Sequence, residues 1–116
     1  MSTISLTLEN IYDLSNKTLS FNGCDNQNAN ILSDTIMRAE RDGSLSHGLF
    51  RLPAYVASLK SKKVKGNAKP TIENIAPSVI RVQGDSGFAP IVLSVGLPAI
   101  IELTKNNGVG VLAIRN

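Results

Sequence analysis

Aromatic residues make up only 4% of this 116-residue chain, and tryptophan is absent. So few rings make it hard to build the stacking platform on which proteins hold single-stranded nucleic acid. A single cysteine, Cys24, excludes an internal disulfide and a cysteine-based structural zinc site. His47 is the only histidine, and Asp34, Glu40, Asp42, Glu73 and Glu102 do not stand at metal-ligand spacing from it, so no metal is expected. The first residues, Met1-Ser2-Thr3-Ile4-Ser5-Leu6, have neither a positive flank nor a long apolar stretch, unlike a secretory signal. The most apolar run, Ala89 to Leu103, is interrupted by Pro90 and Pro98, carries Glu102 and is too short to span a bilayer. These absences lead to the expectation of a cytoplasmic protein with no membrane partner.

What is present is an ordinary globular composition, 42% hydrophobic and 18% charged, without low-complexity tracts. The net charge is +3, and much of the positive charge lies in Lys60, Lys62, Lys63 and Lys65. At a helix end such cations complement the helix dipole, which is the simpler reading. A nucleic-acid surface needs a broader stripe and a recognisable module, so no nucleic-acid partner is expected.

The apolar positions Leu6, Leu8, Ile11, Leu14 and Leu19 approximate a helical stripe that Gly23 would stop. A clearer stripe runs through Ala29, Ile31, Leu32, Ile36, Met37 and Ala39, with Asp25 available as N-cap and Gly43 as the stop. A third helix is expected from near Ser46, with Leu49, Leu52, Tyr55, Val56 and Leu59 on one side and Gly66 at its end. Residues 68–76 read as a connection containing an extended piece. Ser78 to Val82 alternates as a strand does, Gly84-Asp85-Ser86-Gly87 is a turn by composition, 89–107 is helical up to Gly108, and Val109 to Ile114 reads as a buried strand. The fold class expected is α/β, a helical segment followed by a strand, helix, strand unit. Two strands make a poor sheet alone, so the chain is expected to be truncated.

His47 and Arg51 are four residues apart, which on a helix puts both on one face. A guanidinium grips a carboxylate through paired hydrogen bonds, and an imidazole titrates near neutrality and gives up a proton. The pair therefore suits a substrate with a carboxylate beside a reducible carbon. Taken alone it is a weak signal, because a His near an Arg is more often a surface feature. Ser46 either caps the helix or lines a pocket, and capping is the commoner role. Gly48 permits a close approach. The glycines at 84 and 87 lack the three-glycine spacing of a dinucleotide fingerprint, and no Gly-Lys-Ser/Thr follows them.

The stretch Asp42-Gly43-Ser44-Leu45-Ser46-His47-Gly48-Leu49-Phe50-Arg51-Leu52-Pro53-Ala54-Tyr55-Val56 resembles the malate/L-lactate dehydrogenase family of the L-sulfolactate-dehydrogenase-like fold, which includes ureidoglycolate, diketogulonate and cyclic-imine reductases. The family shares a Ser-His-Gly, three-residue step, Leu-Pro, Tyr-Val pattern. Val82 to Ala89 is similar to its Asp-Gly-Asp-x-Gly turn, departing from it at Gln83, and Gly108 to Asn116 is similar to the strand that follows.

The resemblance implies an N-terminal helical substrate and assembly region over 1–67 and the start of a non-Rossmann NAD(P)-binding sheet domain over 68–116. It implies His47 as proton donor, Arg51 as ligand of the substrate carboxylate and Ser46 in the pocket. NADH or NADPH is the implied cofactor, and a homodimer the implied assembly. The implied substrates are small 2-oxo acids or cyclic 2-imino acids. Gly48 to Arg51, Tyr55 to Ser61 and Gly87 to Pro90 look most like reductases of pyrroline-2-carboxylate or piperideine-2-carboxylate. The chain alone is expected to be inactive. The alternative is a non-catalytic assembly module that keeps the helices without the cofactor site.

Overall fold

The computed structural model describes residues 2–116 and divides between Lys63 and Val64 into two compact units. The first is helical. Helix α1 spans Leu8–Phe21 and α2 spans Asn26–Arg41. Thr7 and Asn10 cap α1 reciprocally, each side chain taking the other's backbone N–H. Asp25 caps α2 by accepting from Asn28 N at 2.9 Å, the role the sequence offered it. Gly23 and Gly43 end these helices with positive φ, +106° and +77°, where a side chain would be strained.

Ile11, Ser15 and Leu19 recur every four residues on α1 and are buried, as are Ala29, Leu32, Ser33 and Ile36 on α2. Serine at 15 bonds back to Ile11 O at 2.8 Å, so its hydroxyl enters the core satisfied. Leu6, Leu8 and Leu14, expected in the same apolar stripe, are instead 39–47% exposed.

The third helix differs from its expected course. Leu45–His47 and Leu49–Arg51 form two single 3-10 turns, and α3 occupies only Leu52–Lys60. Pro53 stands in its first turn, where no intrahelical N–H bond is lost. Lys62, at φ +60°, closes the end, four residues before the expected Gly66, with Lys63 N donating to Ser58 O at 3.1 Å.

The second unit is a three-stranded mixed sheet with one helix, so the molecule is α/β. Strand β1 (Thr71–Ala76) pairs antiparallel with β2 (Val79–Gln83) across a tight turn, with a bulge between Asn74 and Ala76. Helix α4 (Ala89–Asn107) then crosses over to β3 (Val111–Arg115), which lies parallel to β2 with Ile80 opposite Leu112. The central strand buries Ile80 and Val82 under Ile91, Val92 and Gly96 of α4. A side chain at Gly96 would begin 3.1 Å from both Leu112 methyls and from Val82 Cγ2, so glycine sets this close helix-to-sheet approach. Gly108, at φ +79°, ends α4 where the sequence places the stop.

Two expectations for this unit are corrected. Residues 71–76 are a paired strand, not merely a connection, because β1 satisfies its backbone on β2. Strand β3, expected to be buried from its β-branched residues, has Val111 and Ile114 about half exposed among the described residues.

Candidate active site

The junction between the two 3-10 turns carries Ser46, His47 and Arg51. His47 N donates to Ser44 O at 2.9 Å, closing the first turn, and Arg51 N donates to Gly48 O at 2.9 Å, closing the second. The chain therefore changes direction at Gly48, and His47 and Arg51 do not share an α-helical face. What brings them together is Ser46. Its carbonyl oxygen accepts from Arg51 Nε at 3.0 Å, while its hydroxyl stands 2.8 Å from His47 Nδ1.

Ser46 is thus not a helix cap. The residue preceding α3 is Arg51, and no side chain caps that helix. The serine instead engages one nitrogen each of His47 and Arg51 and leaves Nε2 of the imidazole and both terminal guanidinium nitrogens outside those bonds. A guanidinium held by Nε still offers two parallel N–H groups to a carboxylate. An imidazolium whose Nδ1–H donates to the serine oxygen is oriented to release the proton on Nε2.

Ser46, His47 and Arg51 are exposed, and Leu45, Ser46 and Phe50 border a shallow hollow of about 210 Å³. Tyr55, one turn after Arg51, is half-buried. Burial pushes its phenol above the usual tyrosine range, while the positive charge of Arg51 acts in the opposite direction. Arg51 is therefore within electrostatic reach of the α3 phenol.

One contributor lay outside sequence reasoning. Glu40, near the end of α2, accepts a hydrogen bond from Leu49 N at 2.8 Å. No spacing rule links residues nine apart across a helix end and a turn, and the signal available in hindsight is Gly48, whose missing side chain makes room for that carboxylate.

The second glycine cluster behaves as a turn. Gly84 N donates to Arg115 O at 2.7 Å, Ser86 N to Asn116 O at 2.8 Å and Gly87 N to Gly84 O at 2.9 Å, so these N–H groups are engaged by the chain itself. Asp85 anchors the turn, accepting from Lys65 Nζ at 2.7 Å and from Lys69 N at 2.9 Å. Both bonds hold its carboxyl below the usual range, with the lysine ammonium the larger influence. Lys65 is thereby drawn out of the basic cluster. Among the described residues no group of three or more metal-binding side chains comes together, and no helix is long and apolar enough to cross a membrane.

The sequence profile of the malate/L-lactate dehydrogenase family matches residues 6–116. The chain belongs to that family. A Delta(1)-pyrroline-2-carboxylate reductase of Ancylobacter novellus is 38% identical over 113 residues, which is 97% of this chain and 33% of that protein. The crystal structure of the delta1-piperideine-2-carboxylate reductase of Pseudomonas syringae pv. tomato superposes with a TM-score of 0.91 at 34% identity, covering 97% of this chain and 34% of that one. The sulfolactate dehydrogenase of Methanocaldococcus jannaschii gives a TM-score of 0.88 at 31% identity, over 97% and 33% of the two chains. This family member therefore spans about a third of the length of the relatives it matches, and its four helices and mixed sheet correspond to part of their fold.

Proposed function

We propose that the protein carrying this chain is an NADH- or NADPH-dependent reductase of small 2-oxo acids or cyclic 2-imino acids, with pyrroline-2-carboxylate or piperideine-2-carboxylate as its preferred substrate class. The observation that supports this most is the double use of Ser46, whose hydroxyl stands against the His47 imidazole while its carbonyl holds the Arg51 guanidinium. Similarity to the Ancylobacter and Pseudomonas reductases points the same way.

In this reading Arg51 binds the substrate carboxylate through its terminal nitrogens, and the 2-carbon is placed beside His47. Reduction adds a hydride to that carbon and a proton to the attached nitrogen or oxygen. His47 gives that proton from Nε2 while Nδ1–H stays bonded to the Ser46 hydroxyl, so the ring does not turn as its charge is lost. The nicotinamide cofactor, when bound, supplies the hydride. The 84–87 glycine turn does not serve as a pyrophosphate cradle: its N–H groups at Gly84, Ser86 and Gly87 already donate to Arg115, Asn116 and Gly84. The roles assigned to Ser46, His47 and Arg51 are confined to the proton and the carboxylate. The helical region, 1–67 in this reading, holds substrate, and 68–116 opens the cofactor domain.

The test is the absorbance of NADPH and of NADH with each cyclic imine and with pyruvate, using the protein at its natural length. His47→Ala is expected to lower kcat by about 100-fold or more, the scale of a positioned acid. Arg51→Ala is expected chiefly to raise KM. Unchanged turnover in the His47 variant would remove the proton-donor assignment.

A further inference from the structure

We infer that Glu40 is the positioning residue of this site: its carboxylate pins the backbone between His47 and Arg51 and so sets the spacing of the proton donor and the carboxylate ligand. The inference rests on the proposed reading of those two side chains as the groups that face substrate.

Four observations carry it. Glu40 Oε1 accepts from Leu49 N at 2.8 Å, and Leu49 lies at the junction of the two 3-10 turns, between His47 and Arg51 in the chain. The turn Leu49–Arg51 begins after Gly48, which has no side chain to cap it, so the glutamate supplies the missing cap from another helix. Gly48 is buried, and a Cβ there would meet Glu40 Oε1 and lie 2.6 Å from its Cδ and 2.7 Å from its Cγ. An acid in the last turn of α2 also faces the negative end of that helix's dipole, a local disadvantage that the Leu49 N–H offsets.

The consequence is mechanical. Each 3-10 turn is closed by few backbone bonds, and the Arg51 to Ser46 bond spans the junction between them. Without the carboxylate, the turns are free to rotate about Gly48 and that spanning bond lengthens. Glu40 touches neither substrate nor cofactor in this account, and it acts through Ser46, His47 and Arg51.

The experiment compares Glu40→Ala, Glu40→Gln and Gly48→Ala in the full-length protein by steady-state kinetics and by ¹H–¹⁵N NMR of the Leu49 amide and the His47 ring. Glu40→Ala is expected to lower kcat/KM by about 100-fold, the scale of an ångström's misplacement. Glu40→Gln keeps an acceptor oxygen and is expected to recover most of that loss. Gly48→Ala pushes the glutamate's flexible end off Leu49 while leaving it in the chain, so it is expected to reproduce the Glu40→Ala defect and to add little to it in the double variant. Wild-type kinetics in Glu40→Ala, or a Leu49 amide and His47 ring that do not shift, would overturn the inference. If the wild-type protein reduces none of the substrates yet those resonances move as expected, the substrate reading fails and the positioning role of Glu40 stands. Should Glu40→Ala fail to fold, the other two variants decide: Glu40→Gln near wild type with Gly48→Ala impaired supports the inference, and equal impairment or none overturns it.

Discussion

The Ser46 hydroxyl stands 2.8 Å from His47 Nδ1, and the carbonyl oxygen of the same serine accepts from Arg51 Nε at 3.0 Å. One residue thus orients two side chains through different atoms, and a substitution can remove one link without the other. Ser46→Ala deletes the hydroxyl and keeps the carbonyl. In the proposed reaction it is expected to lower kcat by about 10-fold, part of the 10²–10⁴ that a positioned acid supplies, with KM little changed because Arg51 keeps its anchor. Ser46 is exposed, so stability should change by no more than about 0.5 kcal/mol in a denaturant titration. A raised KM at constant kcat would instead assign the hydroxyl to substrate binding.

The ends of α2 and α4 were legible because caps are local, whereas those of α3 were not. Asp25 before α2, Gly43 after it and Gly108 after α4 all act where the sequence places them. The site was legible in its residues and not in its geometry. The four-residue step from His47 to Arg51 suggested one helical face, whereas Gly48 breaks the chain into two turns and the Ser46 carbonyl makes the connection. Glu40 was illegible because its backbone partner, Leu49 N, lies across a helix end and a turn, which no periodicity encodes. The β1 pairing is local, across a tight turn to the next strand, but Pro70 at its start made the segment read as a connection. The exposure of β3 escaped for a different reason, since β-branched composition reports preference for a sheet and does not say which face is covered.

Cys24 offers a probe of the α1–α2 junction. Burial pushes its thiol up to about 11, and the neighbouring Asp25 charge adds to the effect. At pH 8 only about one thiol in a thousand is then ionised, and the thiolate is the reactive form. Ellman's reagent is therefore expected to react slowly with the native protein and rapidly once denaturant unfolds it. Residues 1–116 hold a single cysteine, so mass spectrometry of the peptide that contains Cys24 assigns the labelling to this position. Rapid labelling of the native protein at pH 8 would mean that the junction opens locally while the rest stays folded.

Asp85 makes the stability of the second unit depend on pH. Its carboxyl is held below the usual range first by the Lys65 ammonium and then by Lys69 N–H, so the folded state favours the ionised form more than the unfolded chain does. A lowered carboxyl pKa gives stability that is fully present above the unfolded value, ~3.9, and is lost as pH falls through the lower folded value. Asp85→Asn removes the charge while tolerating the positive φ of 52° at this position, since asparagine visits the left-handed region readily. The variant is expected to be less stable than wild type at pH 7, and the gap should narrow as pH is lowered from about 4. The Lys65 ammonium and Asp85 carboxylate are both partly exposed, at 50% and 35%, so added salt should also reduce the gap at pH 7. Urea titrations of both proteins at several pH values and two salt concentrations measure this directly. A gap that widens on acidification would mean that the neutral carboxyl, not the Lys65 pair, holds the turn.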